Sequence, residues 1–237
     1  MTTFVLVPGA WLGGWAWAGT AEALRAQGHD PRPLTLTGLD GTPAPEADLA
    51  THIKDIVAFA EQQDLREFAL VGHSYGGIPV TGAAARLGDR LAHVVYVDSA
   101  PLTEGMRMLD LMPPEAAEQL RSQITDGLLP MPPFEVLAQS SSLAGLTEDH
   151  RELMRTRAVP HPFDSYEQPL PGPAELAPHV GRAIVACHDF STMLDAGVPA
   201  LASVNRPPWR RVDLATGHWP MFSEPAALAA ALATATA

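Results

Sequence analysis

Short apolar segments alternate along most of the chain with stretches of helical periodicity. The apolar segments predict six strands, at Phe4–Pro8, Arg32–Leu36, Glu67–Val71, Val94–Val97, Ala183–Ala186 and Arg210–Leu214. The intervening stretches predict helices, at Trp15–Gln27, Ala47–Gln62, Tyr75–Leu87, Thr192–Leu201 and Glu224–Thr234. Strands that alternate with helices pair in parallel through right-handed crossovers. The pattern therefore predicts an α/β fold with a doubly wound, mostly parallel six-stranded sheet, covered on both faces because its strands lack two-residue alternation.

The alternation is interrupted between residues 99 and 181. This segment holds 12 of the chain's 23 prolines and 12 acidic residues against 5 basic ones. It is too long for a simple connection. We therefore expect a core formed by residues 1–98 and 182–237, with residues 99–181 inserted as a helical lid whose helices include Glu115–Gln123 and Thr147–Arg157.

Charge and cysteine content narrow the function classes. The formal net charge of −12 disfavours binding to nucleic acid or to an anionic membrane surface. The single cysteine, Cys187, excludes an intrachain disulfide and a cysteine-rich metal site. The sequence contains no signal-peptide pattern and no run of 18 apolar residues, so we expect a cytoplasmic protein that is a monomer or a homodimer.

The first chemical motif is Gly72-x-Ser74-x-Gly76, which lies between a predicted strand and a predicted helix. A serine in this context sits on a sharp turn at the sheet's carboxyl edge, where glycines remove the β-carbons that would collide. Ser74 is therefore the candidate nucleophile. Pro79 is expected to cost a backbone hydrogen bond and to kink the following helix.

A serine hydroxyl needs a base, and the base needs an acid that orients it. His218 lies on the loop after the last predicted strand, from which a base can reach the sheet's carboxyl edge. Asp189 follows the preceding strand and completes the chain order Ser, Asp, His. Asp98 and Asp195 remain open as alternatives, and His73 is expected to point elsewhere on the turn.

The remaining candidates would hold the substrate. The backbone N–H groups of Tyr75 and Ala10 are candidate donors to an oxyanion, because Tyr75 follows the nucleophile and Ala10 lies on the loop after the first strand. Apolar candidates for the substrate pocket are Trp11, Trp15, Trp219, Met131 and Phe134.

Together, the segments FVLVPGAWLGGWAW, GHSYGG, VVYVDSAP, VACHD and GHW…EP resemble the α/β-hydrolase superfamily. They are most similar to its small branch of plant methylesterases and hydroxynitrile lyases. The resemblance implies Ser74, Asp189 and His218 as a triad. The lyases of this branch carry a threonine and a lysine at positions where this chain has Gly9 and Trp219, so the resemblance favours ester hydrolysis.

These observations predict a serine hydrolase that cleaves small hydrophobic esters or lactones without a metal or an organic cofactor. Two alternatives remain open at the level of sequence. One is a non-hydrolytic enzyme of the same fold, such as a lyase, a cyclase or a cofactor-free oxygenase. The other is a ligand receptor with a slow triad.

Overall fold

The computed structural model describes all residues from 1 to 237. Its strands are β1 (Thr3–Val7), β2 (Asp30–Pro33), β3 (Phe68–His73), β4 (Leu91–Val97), β5 (Leu128–Leu129), β6 (His161–Pro162), β7 (Gly181–Ala186) and β8 (Trp209–Asp213). Its helices are α1 (Ala18–Ala26), α2 (Leu49–Gln62), α3 (Gly77–Leu87), α4 (Pro114–Arg121), α5 (Phe134–Leu137), α6 (Glu148–Arg157), α7 (Asp164–Glu167), α8 (His188–Asp195), α9 (Pro220–Ser223) and α10 (Pro225–Ala235). No helix is long and apolar enough to cross a membrane.

Six strands form one sheet in the order β2-β1-β3-β4-β7-β8, and every neighbouring pair is parallel. The predicted doubly wound α/β fold is confirmed. The strand order reverses at β1, which has β2 on one side and β3 on the other. The carboxyl ends of β1 and β3 therefore flank the crevice in which such sheets bind ligands.

Successive residues of each central strand bury their side chains on opposite faces of the sheet. In β1, Val5 and Val7 belong to one apolar cluster of 33 buried residues, whereas Phe4 and Leu6 belong to a second cluster of 24. Helices cover both clusters, so the central strands are apolar throughout. A sheet buried in this way forms a rigid frame for the loops at its carboxyl edge.

Several helices begin or end at other residues than the sequence predicts, and α3 and α8 are the two that bear on the site. Pro79 is the third residue of α3, and the helix continues past it to Leu87. Helix α8 begins at His188, four residues before the predicted start, because Phe190 and Leu194 both bury on its inner face. This earlier start changes the surroundings of Asp189.

The turn after β3 generates a prediction about packing. A β-carbon at Gly76 would lie 2.5 Å from the carbonyl oxygen of Pro8, whose backbone is fixed by β1. Gly76→Ala is therefore expected to lower the free energy of unfolding by about 3 kcal/mol, as measured by urea denaturation. Gly28 has a φ of +81° and open space around it, so Gly28→Ala is the control and should cost only about 1 kcal/mol. Equal losses in the two variants would contradict this account.

Candidate active site

Ser74 occupies a strained position directly after β3. Its φ is +51°, in the left-handed region that most residues avoid. The strain persists because β3 and α3 pack with no room for side chains: a β-carbon at Gly72 would lie 2.7 Å from the Gly76 carbonyl oxygen. The Ser99 hydroxyl donates a hydrogen bond to the Ser74 carbonyl oxygen at 2.7 Å, which links the turn to the segment after β4.

His218 lies within hydrogen-bond distance of the serine. His218 lies on the loop that follows β8, and its Nε2 is 2.9 Å from the Ser74 Oγ. The backbone of His218 is held from two directions: its N–H donates to the Ser142 carbonyl at 2.9 Å, and its carbonyl accepts from the His73 Nε2 at 2.7 Å. The imidazole is therefore positioned by residues from both the core and the 99–181 segment.

Asp98 completes the hydrogen-bonded chain. Its Oδ2 lies 2.5 Å from the Nδ1 of His218, and its Oδ1 accepts from the backbone N–H of Cys187 at 2.9 Å. Asp98 directly follows β4 with a φ of +47°, and its side chain is 7% exposed. The carboxylate thus crosses the end of β7 to reach the loop after β8.

The predicted acid, Asp189, does not contact His218, and in this respect the sequence prediction is wrong. Because α8 begins at His188, Asp189 lies in the first helical turn and is exposed, where its Oδ2 accepts from the Ser142 N–H at 2.9 Å. The alternative Asp195 lies at the end of the same helix and pairs with Arg211 at 2.7 Å. The structure therefore places Asp98, one of the two alternatives that the sequence left open, beside the histidine.

The two candidate oxyanion donors lie on two turns at the carboxyl edge of the sheet, one after β1 and one after β3. Ala10 lies on the turn after β1 and contributes to the cavity above Ser74, and its N–H has no hydrogen-bond partner within the protein. Tyr75 follows Ser74 in a short 3₁₀ turn that leads into α3. The oxyanion role of the two N–H groups stays a prediction of the sequence.

A cavity of about 220 Å³ lies above Ser74 and His218. Ten of its 17 lining residues belong to the 99–181 segment: Met108, Met112, Leu120, Leu129, Pro132, Val136, Leu137, Ser140, Ser141 and Tyr166. No aspartate, glutamate, lysine or arginine lines it. The cavity is therefore small, mostly apolar and without a formal charge beyond what its histidines carry.

Two of the five predicted substrate-binding residues, Trp11 and Trp219, line this cavity, and three do not. Trp15 packs against Phe222 and under the guanidinium of Arg157 at 4.7 Å. Phe134 is buried in the core beneath the arginines of α6, and Met131 lies partly buried near it. The sequence identified these residues as apolar, but the direction in which each side chain points depends on tertiary packing.

Sequence reasoning also missed the role of His73. Its ring is buried, its Nε2 donates to the His218 carbonyl, and its Nδ1 has no partner. Burial, with a further contribution from His218, holds the pKa of His73 well below its usual value, so the ring is neutral. A β-carbon at Gly9 would lie 3.0 Å from that Nδ1 and 3.1 Å from the Ser74 β-carbon, so a side chain at position 9 requires a small shift of these neighbours.

Two more neutral histidines lie beneath the site. His52 Nε2 donates to the Thr37 carbonyl at 3.0 Å and its Nδ1 accepts from the Tyr75 hydroxyl at 2.7 Å. His161 Nδ1 accepts from the Trp11 N–H at 3.4 Å, so it joins the 99–181 segment to the loop after β1. Burial lowers the pKa of His52 and holds that of His161 well below the usual value.

The chain is similar in sequence and in structure to known hydrolases. The family described as "Alpha/beta hydrolase family" matches residues 4–231. The carbendazim-hydrolysing esterase of Nocardioides sp. (strain SG-4G) is 32% identical over 185 residues, which are 72% of this chain and 73% of that protein. Esterase PIR7B of Oryza sativa subsp. japonica is 35% identical over 132 residues, but the match covers 53% of this chain and only 47% of the rice protein.

Solved structures share the fold over nearly the whole chain. An extracellular alpha/beta-hydrolase from a Paenibacillus species, described as sharing structural and functional homology with tobacco salicylic acid binding protein 2, has a TM-score of 0.80 at 23% identity. That match covers 99% of both chains. A pyrethroid hydrolase from Sphingobium faniae JZ-2 has a TM-score of 0.71 at 18% identity and covers 99% of this chain and 97% of its own. At these identities the likeness establishes the fold alone.

The position of Asp98 predicts different effects for two isosteric substitutions. Asp98→Asn would donate to the His218 Nδ1 and favour the tautomer that cannot accept a proton from Ser74. We expect phosphonylation of Ser74 by a fluorophosphonate, followed by mass spectrometry, to slow by about 10³- to 10⁴-fold. Asp189→Asn is the matched control and should change the rate by less than about threefold. If Asp189→Asn slowed phosphonylation more than Asp98→Asn, Asp189 would be the acid that orients His218.

The buried histidines predict a loss of stability in acid. The unfolded chain protonates these residues at a pKa near 6.5, whereas the folded protein keeps them neutral, so the unfolded state binds more protons as the pH falls below about 6.5. The free energy of unfolding should therefore decrease between pH 7 and pH 5. His161→Asn should reduce that slope by up to about 1.4 kcal/mol per pH unit, measured by urea unfolding across the pH range. The exposed His179→Asn is the control, and an unchanged slope in His161→Asn would refute the assignment.

Proposed function

We propose that this chain, which belongs to the alpha/beta hydrolase family, is a serine hydrolase that cleaves small, neutral, hydrophobic carboxylic esters or lactones. The observation that carries the proposal is the continuous chain of hydrogen bonds from Asp98 through His218 to Ser74 at the base of an apolar cavity. The names of two relatives, both esterases, support the same reaction class.

In the first half-reaction, the Ser74 Oγ attacks the ester carbonyl and its proton passes to the His218 Nε2, 2.9 Å away. Asp98 keeps the His218 Nδ1 protonated and stabilises the imidazolium that forms. The N–H groups of Ala10 and Tyr75 hold the negative oxygen of the tetrahedral intermediate. The departing alkoxide takes the proton from His218 and leaves an acyl group on Ser74.

In the second half-reaction, water replaces the alcohol. His218 Nε2 removes a proton from the water, which attacks the acyl carbonyl, and the proton then returns to the Ser74 oxygen as the acid leaves. A lactone follows the same two steps, with its own hydroxyl as the leaving group.

The cavity supports a narrow substrate class. Its volume of about 220 Å³ is below the range usual for drug-sized ligands, which favours short acyl and alcohol groups. An anion would have no lysine or arginine to pair with in the lining, and the 99–181 segment carries an excess of acidic residues. We propose that this segment acts as the lid over the site, since it supplies most of the lining.

Two features support hydrolysis over a cyanide-releasing lyase reaction. The residue after His218 is Trp219, which gives no positive charge to a departing cyanide, and a side chain at position 9 would crowd the His73 ring. A hydrogen-bonded serine and histidine also support catalysis over a purely receptor role.

The proposal is tested by turnover of p-nitrophenyl acetate together with fluorophosphonate labelling. The wild-type protein should hydrolyse the ester over many turnovers, and Ser74→Ala should lose about 10⁶-fold in kcat and all labelling. Ser165→Ala, which removes another buried serine hydroxyl outside the cavity lining, should remain labelled and is the control for the loss of a buried serine. Absence of both turnover and labelling in folded wild-type protein would refute the proposal.

A further inference from the structure

The cavity lining includes polar side-chain groups that the proposed reaction does not use. Ser74 and His218 react, and His73 is bonded to the His218 carbonyl. Ser140 and Ser141 lie at the more exposed rim. The Trp11 indole N–H donates to the Leu129 carbonyl oxygen at 3.0 Å. The remaining polar groups of the lining are therefore the indole N–H of Trp219 and the hydroxyl of Tyr166, in α7, and neither has a partner in the protein.

The Tyr166 hydroxyl has no hydrogen-bond partner within the protein. The other two tyrosines differ: the Tyr75 hydroxyl contacts His52 at 2.7 Å and the Tyr96 hydroxyl contacts Thr81 at 3.0 Å. Tyr166 is only 4% exposed, yet its oxygen is not among the unpartnered polar atoms that protein fully encloses. Since Tyr166 lines the cavity, we infer that the accessible surface of its hydroxyl faces the cavity.

The ring that carries this hydroxyl is held on three sides. It stacks on Tyr75 at 5.3 Å with an interplanar angle of 5°, and on Phe163 at 5.7 Å with an angle of 15°. The His161 ring packs edge-on against it at 5.2 Å. Binding a ligand at this hydroxyl therefore costs little conformational entropy.

Burial also fixes the protonation state of the group. Desolvation raises the pKa of Tyr166 far above neutral pH, so the phenol keeps its proton and acts as a hydrogen-bond donor. A donor in an apolar cavity discriminates strongly, because a substrate without an acceptor leaves it unpaired once water is displaced.

We infer that Tyr166 is a specificity-determining residue that donates a hydrogen bond to the substrate. The preferred substrates are small neutral esters that carry a second acceptor, such as an ether, keto or ring-nitrogen lone pair, apart from the carbonyl that Ser74 attacks. This inference rests on the proposed hydrolase function. It deepens that function by assigning a polar feature to the substrate that the apolar lining alone does not require.

The test uses esters of matched shape and Tyr166→Phe, which removes only the hydroxyl. On the acyl side, p-nitrophenyl methoxyacetate is compared with p-nitrophenyl butanoate, and on the alcohol side, 3-methoxyphenyl acetate is compared with 3-ethylphenyl acetate. In at least one pair, Tyr166→Phe should lower kcat/KM for the acceptor-bearing ester about tenfold more than for its partner, mainly through KM. Tyr96→Phe, which removes a hydroxyl bonded to Thr81, is the matched control and should leave both ratios unchanged.

Each outcome decides between the two levels of the proposal. In one outcome, Tyr166→Phe changes kcat/KM equally for both esters of each pair, while Ser74 is still labelled and simple esters are still cleaved. The hydroxyl then does not recognise the substrate. The inference about Tyr166 is then wrong and the hydrolase proposal stands. If the wild-type protein neither cleaves these esters nor labels at Ser74, both fail together.

Discussion

The close approach of β3, α3 and the end of β1 is the constraint on which the site depends. Gly72 and Gly76 leave no space for β-carbons, and the backbone at Pro8 closes the contact from the neighbouring strand. Ser74 is consequently held with a positive φ at the carboxyl edge of the sheet. The sheet is buried on both faces, and the free energy of this packing offsets the cost of the strained Ser74 backbone.

Much of this arrangement could be predicted from the sequence because it is encoded locally. The glycine spacing around Ser74, the apolar strands and the final histidine each lie within a few residues of the feature that they determine. The acid could not be assigned in this way. Asp189 follows β7, the neighbour of the last strand, whereas Asp98 follows β4, one strand further away. The early start of α8 is what removes Asp189 from the site. Phe190 and Leu194, four residues apart, were the available signal that the helix begins early enough to remove Asp189 from the site.

The residues of the 99–181 segment show a different limit. Its apolar side chains are recognisable, but their orientation depends on short helices and turns with weak periodicity. Phe134 and Met131 pack toward the core side, whereas Met108, Leu129 and Tyr166 line the cavity. Tertiary contacts also decide the histidines: His161 contacts Trp11 across 150 positions of the chain, which no local pattern indicates.

The contact between the Ser142 carbonyl and the His218 N–H has an evolutionary and engineering consequence. The loop at Ser142 packs so closely on Gly217 that a β-carbon there would lie 2.5 Å from the Ser142 carbonyl oxygen. The same loop therefore sets the backbone position of the imidazole while its neighbours Ser140 and Ser141 border the cavity. Exchanging the whole segment for that of a relative would alter the reactivity of the histidine along with the shape of the pocket. Substitutions of single lining residues can therefore change the substrate range without moving His218, whereas transplanting the whole segment changes both.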